Sequence, residues 1–171
     1  AEFLAERIAE GAIVGIFEGK AEIGPRALGH RSLIASPLDA KNWSRVNLIK
    51  EREPWRPLAP VVLDQDFHTH FDGCPDDSFY MLFNANVKTD HLPAVTHRDR
   101  TARVQVAVEE CGFIYRLLLA FRALTGIGVL LNTSFNGRGE PIVETPADAL
   151  KAFATMNLGY LYLQGMVLRK R

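Results

Sequence analysis

At 171 residues with 47% hydrophobic side chains, the chain can bury a proper core and is read as one domain over residues 1–171. Twenty basic and twenty acidic side chains cancel. That balance makes nucleic acid an unexpected partner, yet a few arginines converging on a small anion would leave the total unchanged. No window reaches the ~18 apolar residues of a membrane-spanning helix, and two cysteines, Cys74 and Cys111, suit a reducing cytoplasm.

In chain order, AEFLAERIAE places Phe3, Leu4 and Ile8 at helical spacing, and Gly11 supplies a stop. It opens without Met inside that pattern and lacks a signal peptide's basic start, so it reads as cut from something longer. Residues 12–17 form a β-branched apolar run that predicts a buried strand, and Ser32-Leu33-Ile34-Ala35 predicts a strand or short helix. A helix is expected from about Asp39 to Ile49, with Trp43, Val46 and Ile49 on one face. Pro54, Pro57 and Pro60 lead into the strand-like Val61-Val62-Leu63, and residues 68–77 read as a surface loop. Residues 79–83 and 102–108 are strand candidates, 115–124 a helix and 128–131 a strand. Thr145-Pro146-Ala147-Asp148 opens a helix with cap and proline in place, and residues 159–167 close the chain as a strand. Interleaved strands and helices predict an α/β (α+β) domain on a mixed sheet.

Four segments bring cationic or hydroxyl side chains to the ends of these elements. In Gly24-Pro25-Arg26-Ala27-Leu28-Gly29-His30-Arg31-Ser32, the arginines and serine can bind anion oxygens, or the segment is a tight turn with solvated arginines. Lys50-Glu51-Arg52-Glu53-Pro54-Trp55-Arg56-Pro57, if extended, puts Lys50, Arg52 and Arg56 on one face, a point charge beside a planar fork. Taken alone, that segment is more simply a solvated face paired with Glu51 and Glu53. Arg103 sits inside an apolar strand pattern and needs an anionic partner, either a buried carboxylate or a ligand. The most pointed segment is Leu131-Asn132-Thr133-Ser134-Phe135-Asn136-Gly137-Arg138-Gly139. A buried strand there ends in amides and hydroxyls, and ligands of α/β sheets favour the carboxyl ends of strands. His68 and His70 lack further metal ligands nearby, and no Walker loop, G-x-G-x-x-G or G-x-S-x-G occurs.

Together GPRALGHRS (24–32), KEREPWRPLAP (50–60), PAVTHRDRTARVQ (93–105) and LLNTSFNGRGEPIVETPADAL (130–150) resemble the C-terminal domain of the nodulation and antibiotic O-carbamoyltransferases. The resemblance implies a fold like threonylcarbamoyl-adenylate synthase, a twisted mixed sheet with helices. It implies ATP and Mg²⁺, and conversion of carbamoyl phosphate to carbamoyl-adenylate. It also implies an N-terminal domain of the actin-like ATPase type, absent here, that performs the transfer. Lys50 and Arg52, with Ser134 and Asn136, look like the synthases' Lys-x-Arg and Ser-x-Asn pairs around ATP, joined by Asn132 and Thr133. Arg103 and Arg138 would grip carbamoyl phosphate, and His97 is the candidate for proton transfer. Arg26, Arg31 and Thr101 fall to carbamoyl phosphate or to the missing domain. No metal ligand is assigned. Two rivals stand beside this reading: a nucleotide- or RNA-binding module without chemistry, and a structural partner domain.

Overall fold

The computed structural model describes residues 1–170. Helix α1 (Glu2–Ala9) leads into strand β1 (Val14–Phe17), and β2 (Arg31–Ala35) precedes helix α2 (Lys41–Ile49) and strand β3 (Ala59–Leu63). Short helix α3 (Phe67–His70) and strands β4 (Phe71–Asp72), β5 (Asn84–Val87), β6 (Thr101–Arg103) and β7 (Gln105–Ala107) follow. Helix α4 (Phe113–Thr125), β8 (Val129–Ser134), helix α5 (Pro146–Thr155), β9 (Tyr160–Leu163) and β10 (Met166–Arg169) complete the chain.

Seven strands form one mixed sheet in the order β10-β9-β1-β2-β8-β3-β7, and β4-β5-β6 form a small antiparallel sheet. Only β1–β9 and β3–β7 pair in parallel within the large sheet. Because side chains alternate along a strand, each strand feeds two cores. Val14, Ile16, Ile34, Val61, Leu63 and Leu130 face α1 and α4, while Leu33, Ala35, Val62 and Leu131 face α2, α5 and the small sheet. On α4, Leu117, Leu118 and Phe121 are fully buried, each contributing about 1.5–3 kcal/mol against exposure. Gly126 ends α4 in the left-handed region at φ 78°, and Thr145 with Asp148 closes a capping box on α5.

Ser32–Ala35 resolves as strand, fully buried between β1 and β8. Four other expectations are corrected. Residues 79–83 are turns, because Met81 takes φ 54°, which no strand tolerates, and Tyr80, Leu82 and Phe83 are exposed. Residues 102–108 are two strands in different sheets, with Val104 at the crossing. The tail is a hairpin whose turn residues Gln164 and Gly165 have φ 44° and 90°, the geometry of a tight two-residue connection. The expected loop at 68–77 instead contains part of α3 and all of β4, with His70 buried. Strand β5, Asn84-Ala85-Asn86-Val87, escapes the sequence pattern because asparagine is depleted in strands.

Gly29 closes the 24–30 loop onto α4. At φ 115° it sits where an added Cβ would lie 2.7 Å from Cγ2 of Ile114. Gly29→Ala should cost about 2–4 kcal/mol through backbone strain plus overpacking, read as a lowered urea midpoint at unchanged slope. An unchanged midpoint would show that the loop does not depend on this contact.

Candidate functional site

Strand β8 lies between β2 and β3, and its carboxyl end carries Asn132, Thr133 and Ser134. Beyond it the chain turns through Phe135, fully buried, into Asn136 and the Gly137-Arg138-Gly139 loop. Helix α2 delivers the facing cations. Its C-cap is Lys50, and Glu51 then takes φ 48°, which throws the chain back so that Arg52 returns beside it. Helix end and left-handed turn, not the extended alternation expected from the prolines, therefore bring Lys50 and Arg52 together. Asn47 fixes the arrangement: its Oδ1 accepts from Arg52 Nε at 2.6 Å, and its Nδ2 donates to the Pro54 and Arg56 carbonyls.

Lys50 is 5% exposed, and its ammonium donates to Asn136 Oδ1 at 2.7 Å, with Ser134 Oγ and both backbone carbonyls of Ser134 and Asn136 also in reach. Ser134 Oγ donates to Asn136 Oδ1 at 2.7 Å. Lys50 thus organises the polar run that ends β8. Burial, then the neighbouring Arg52 guanidinium, pull its ammonium down to about 7, while the surrounding oxygens favour the charged form. Lys50, Arg52, Ser134, Asn136 and Arg138 line one open cavity of about 560 Å³.

A smaller cavity of about 110 Å³ adjoins it, sharing Arg52 and Ser134 and lined also by Arg26, Arg103, Asn132 and Thr133. It is about a fifth the size of its neighbour, on the scale of a small anion. Three polar atoms here are buried without a partner: Arg52 Nη2, Arg103 Nε and Asn132 Oδ1. The Asn132 amide is oriented by its Nδ2, which donates to the Ala27 carbonyl and to Gln105 Oε1, leaving Oδ1 as a free acceptor. Burial depresses the Arg103 guanidinium from its ordinary value, and Arg26 beside it acts in the same direction. Among the described residues none of Arg26, Lys50, Arg52, Arg103 and Arg138 is in an ion pair. Glu51 and Glu53 also line the larger cavity, but Glu53 is ion-paired with Arg56, so these five cations outnumber the carboxylates beside them and suit an anion from outside.

Other expected residues lie elsewhere. Arg31 is 4% exposed, stacks on Phe17 at 3.5 Å and donates to the carbonyls of Glu18, Gly19 and His30. Its two terminal nitrogens hold the base of the 18–30 loop, while its buried Nε has no partner. Thr101 gives its hydroxyl and its backbone N–H to Asp99 and closes the 97–101 turn. His97 is half-buried and lines a third cavity; burial first, then Arg103, lowers its imidazole, opposed by Asp99. Arg138 is exposed and does not share a cavity with Arg103. Arg138 sits past the turn at Phe135 and lines the larger cavity, whereas Arg103 ends β6 and lines the smaller one beside it. Gln105 and Glu22 escaped the sequence reading. Gln105 is 1% exposed and donates to the Leu28 carbonyl, and Glu22 Oε1 accepts from the Leu28 and His30 amides. The amide inside an apolar strand at Gln105 is the same signal that singled out Arg103.

A family model described as carbamoyltransferase C-terminus matches residues 5–170. The chain belongs to that family. Nodulation protein NolNO of Sinorhizobium fredii is 43% identical over 98% of the chain and 26% of its own length. The 3'-hydroxymethylcephem-O-carbamoyltransferase of Amycolatopsis lactamdurans is 42% identical over 85% of the chain and 28% of its own length. This carbamoyltransferase-family domain therefore spans less than a third of these curated relatives. Among solved structures, full-length HypF in its phosphate- and nucleotide-bound form superposes with a TM-score of 0.68 at 19% identity, over 95% of the chain and 24% of HypF. Sua5 of P. abyssi complexed with L-threonine gives 0.66 at 16%, over 96% and 46%. At such identities the likeness shows the fold alone, and that fold is the twisted mixed sheet with helices that the sequence blocks led one to expect.

Proposed function

We propose that this domain binds ATP and carbamoyl phosphate and forms carbamoyl-adenylate, as one part of an O-carbamoyltransferase whose transfer domain, of the actin-like ATPase type, lies in the rest of a longer polypeptide. The observation that carries the reading is the unpaired cluster of Arg26, Lys50, Arg52, Arg103 and Arg138 at the carboxyl end of β8. In the larger cavity Lys50, Arg52 and Arg138 suit a polyphosphate. In the smaller one Arg26 and Arg103 suit a compact anion, and the free Asn132 Oδ1 suits an amino group. Carbamoyl phosphate offers both anion and amine.

The chemistry balances in two steps. Water takes the phosphate from carbamoyl phosphate, releasing carbamate. A carbamate oxygen then bonds to the α-phosphorus of ATP while the bond to the pyrophosphate oxygen breaks. Negative charge moves onto pyrophosphate, where the guanidinium forks stabilise it. No three His, Cys, Asp or Glu side chains among the described residues group to hold a metal ion. Mg²⁺ would therefore come on the phosphates of ATP, with Glu51 and Glu53 in the cavity wall, and neutralise phosphate charge. The hydroxymethyl acceptor in the cephem relative's name marks the alcohol class to which the whole protein would deliver the carbamoyl group.

The experiment that tests this reading is exchange of labelled pyrophosphate into ATP, which should require carbamoyl phosphate because adenylation is reversible. Binding without exchange under any condition would leave a nucleotide-binding module. A second result is expected in calorimetry. With Lys50 near 7, a polyphosphate beside it raises its proton affinity, so ATP binding should take up a proton at pH 8 and almost none at pH 6. Heats compared in buffers of different ionisation enthalpy report this uptake, and Lys50→Met should abolish it. Equal uptake in that variant would exclude Lys50 as the titrating group.

A further inference from the structure

Trp55 is 69% exposed, although tryptophan is highly buried on average, so the core does not explain it. With Trp43 it walls a cavity of about 500 Å³ lined further by Pro57, Leu58, Ala94 and Val95. The Trp43 ring is held in place, because its Nε1–H donates to the Arg56 carbonyl at 2.6 Å. Thr96, His97, Arg98 and Asp99 add the polar groups. Asp99 uses Oδ1 for both Thr101 donors, which leaves Oδ2 as an acceptor.

This cavity is continuous in its lining with the anion sites. Pro57 and Leu58 also line the small cationic cavity, which in turn shares Arg52 and Ser134 with the larger one. Aromatic and apolar walls thus predominate at one end of the series and cationic side chains at the other. A nucleotide has the same division, a planar heteroaromatic ring joined through a sugar to phosphates. Indole faces suit such a ring by stacking, and a carboxylate suits an exocyclic amine.

We propose that the Trp43–Trp55 cavity takes the purine base of the nucleotide whose phosphates lie on Lys50 and Arg52. The proposal rests on the reading of the cationic cavities as an ATP site. Tripolyphosphate, which has no base, separates the two ideas.

The test compares ATP with tripolyphosphate on the whole 171-residue chain, by calorimetry and by indole fluorescence. ATP should bind more tightly than tripolyphosphate and quench the emission, and tripolyphosphate should bind without quenching. Trp55→Ala should weaken ATP about tenfold or more, the size of losing one base–aromatic stack, and leave tripolyphosphate unchanged. Trp55→Phe should retain most of the ATP affinity. The tripolyphosphate titration also reports that the exposed substitution has not disturbed the fold. If Trp55→Ala changes both ligands equally, or leaves ATP unaffected, the base lies elsewhere and only this proposal fails. If the unmodified chain binds neither ligand, the ATP reading and the base site fall together.

Discussion

Arg103→Ala should lower carbamoyl-phosphate-dependent exchange of pyrophosphate into ATP by ~10²-fold or more, the size of losing one contact to developing charge. Arg103 carries a buried, unpartnered Nε and shares a cavity of about 110 Å³ with Arg26, Arg52 and Asn132. Its guanidinium has no ion-pair partner among the described residues, so removing it relieves repulsion with Arg26 while taking charge from the site. The fold should therefore tolerate the change. Arg103→Lys should rescue poorly, since an ammonium cannot reproduce a bidentate grip. Arg138→Ala should have a smaller effect, because that side chain is exposed on the Gly137–Gly139 loop and can be replaced by water. Exchange rates measured at saturating ATP over a range of carbamoyl phosphate would decide it. Wild-type exchange in Arg103→Ala would remove the small cavity from the reaction.

Lys50→Ala should weaken ATP binding by about 10–100-fold, the loss of one charge-assisted hydrogen bond together with the geometry it maintains. The lysine is not a free phosphate hook. Its protons already serve Ser134 and Asn136, so truncation leaves those half-buried oxygens short of donors and loosens the end of β8. The effect should appear for tripolyphosphate as much as for ATP, in contrast to the Trp55 variants. Calorimetry supplies the affinities, and circular dichroism checks that the sheet persists. Undiminished affinity would show that Arg52 and Arg138 hold the phosphates without the organised Ser134–Asn136 run.

Element types could be read from residue order wherever periodicity and end signals agreed. Helix α4, with Leu117, Leu118 and Phe121 on one face, and α5, with its Thr145–Asp148 capping box, were legible because local hydrogen bonds and spacing specify them. The run Asn132 to Asn136 was legible as a candidate site because it places polar residues at the carboxyl end of a buried strand. Which cations meet depends on contacts between segments far apart in the chain. Lys50 and Arg52 come together through a helix end and the left-handed Glu51, a backbone state that nothing in the residue type announces. Arg31 and Arg103 look alike along the chain, and each keeps a buried Nε without a partner, yet the terminal nitrogens of Arg31 are spent on three backbone carbonyls while Arg103 lines a cavity beside Arg26 and Arg52. Arg103 and Arg138, which the sequence allowed to converge, belong to different cavities. Hydrogen-bond demand is settled by neighbours distant in the chain, as with Lys50 and Ser134, so a side chain's availability to a ligand exists only once those neighbours are in place.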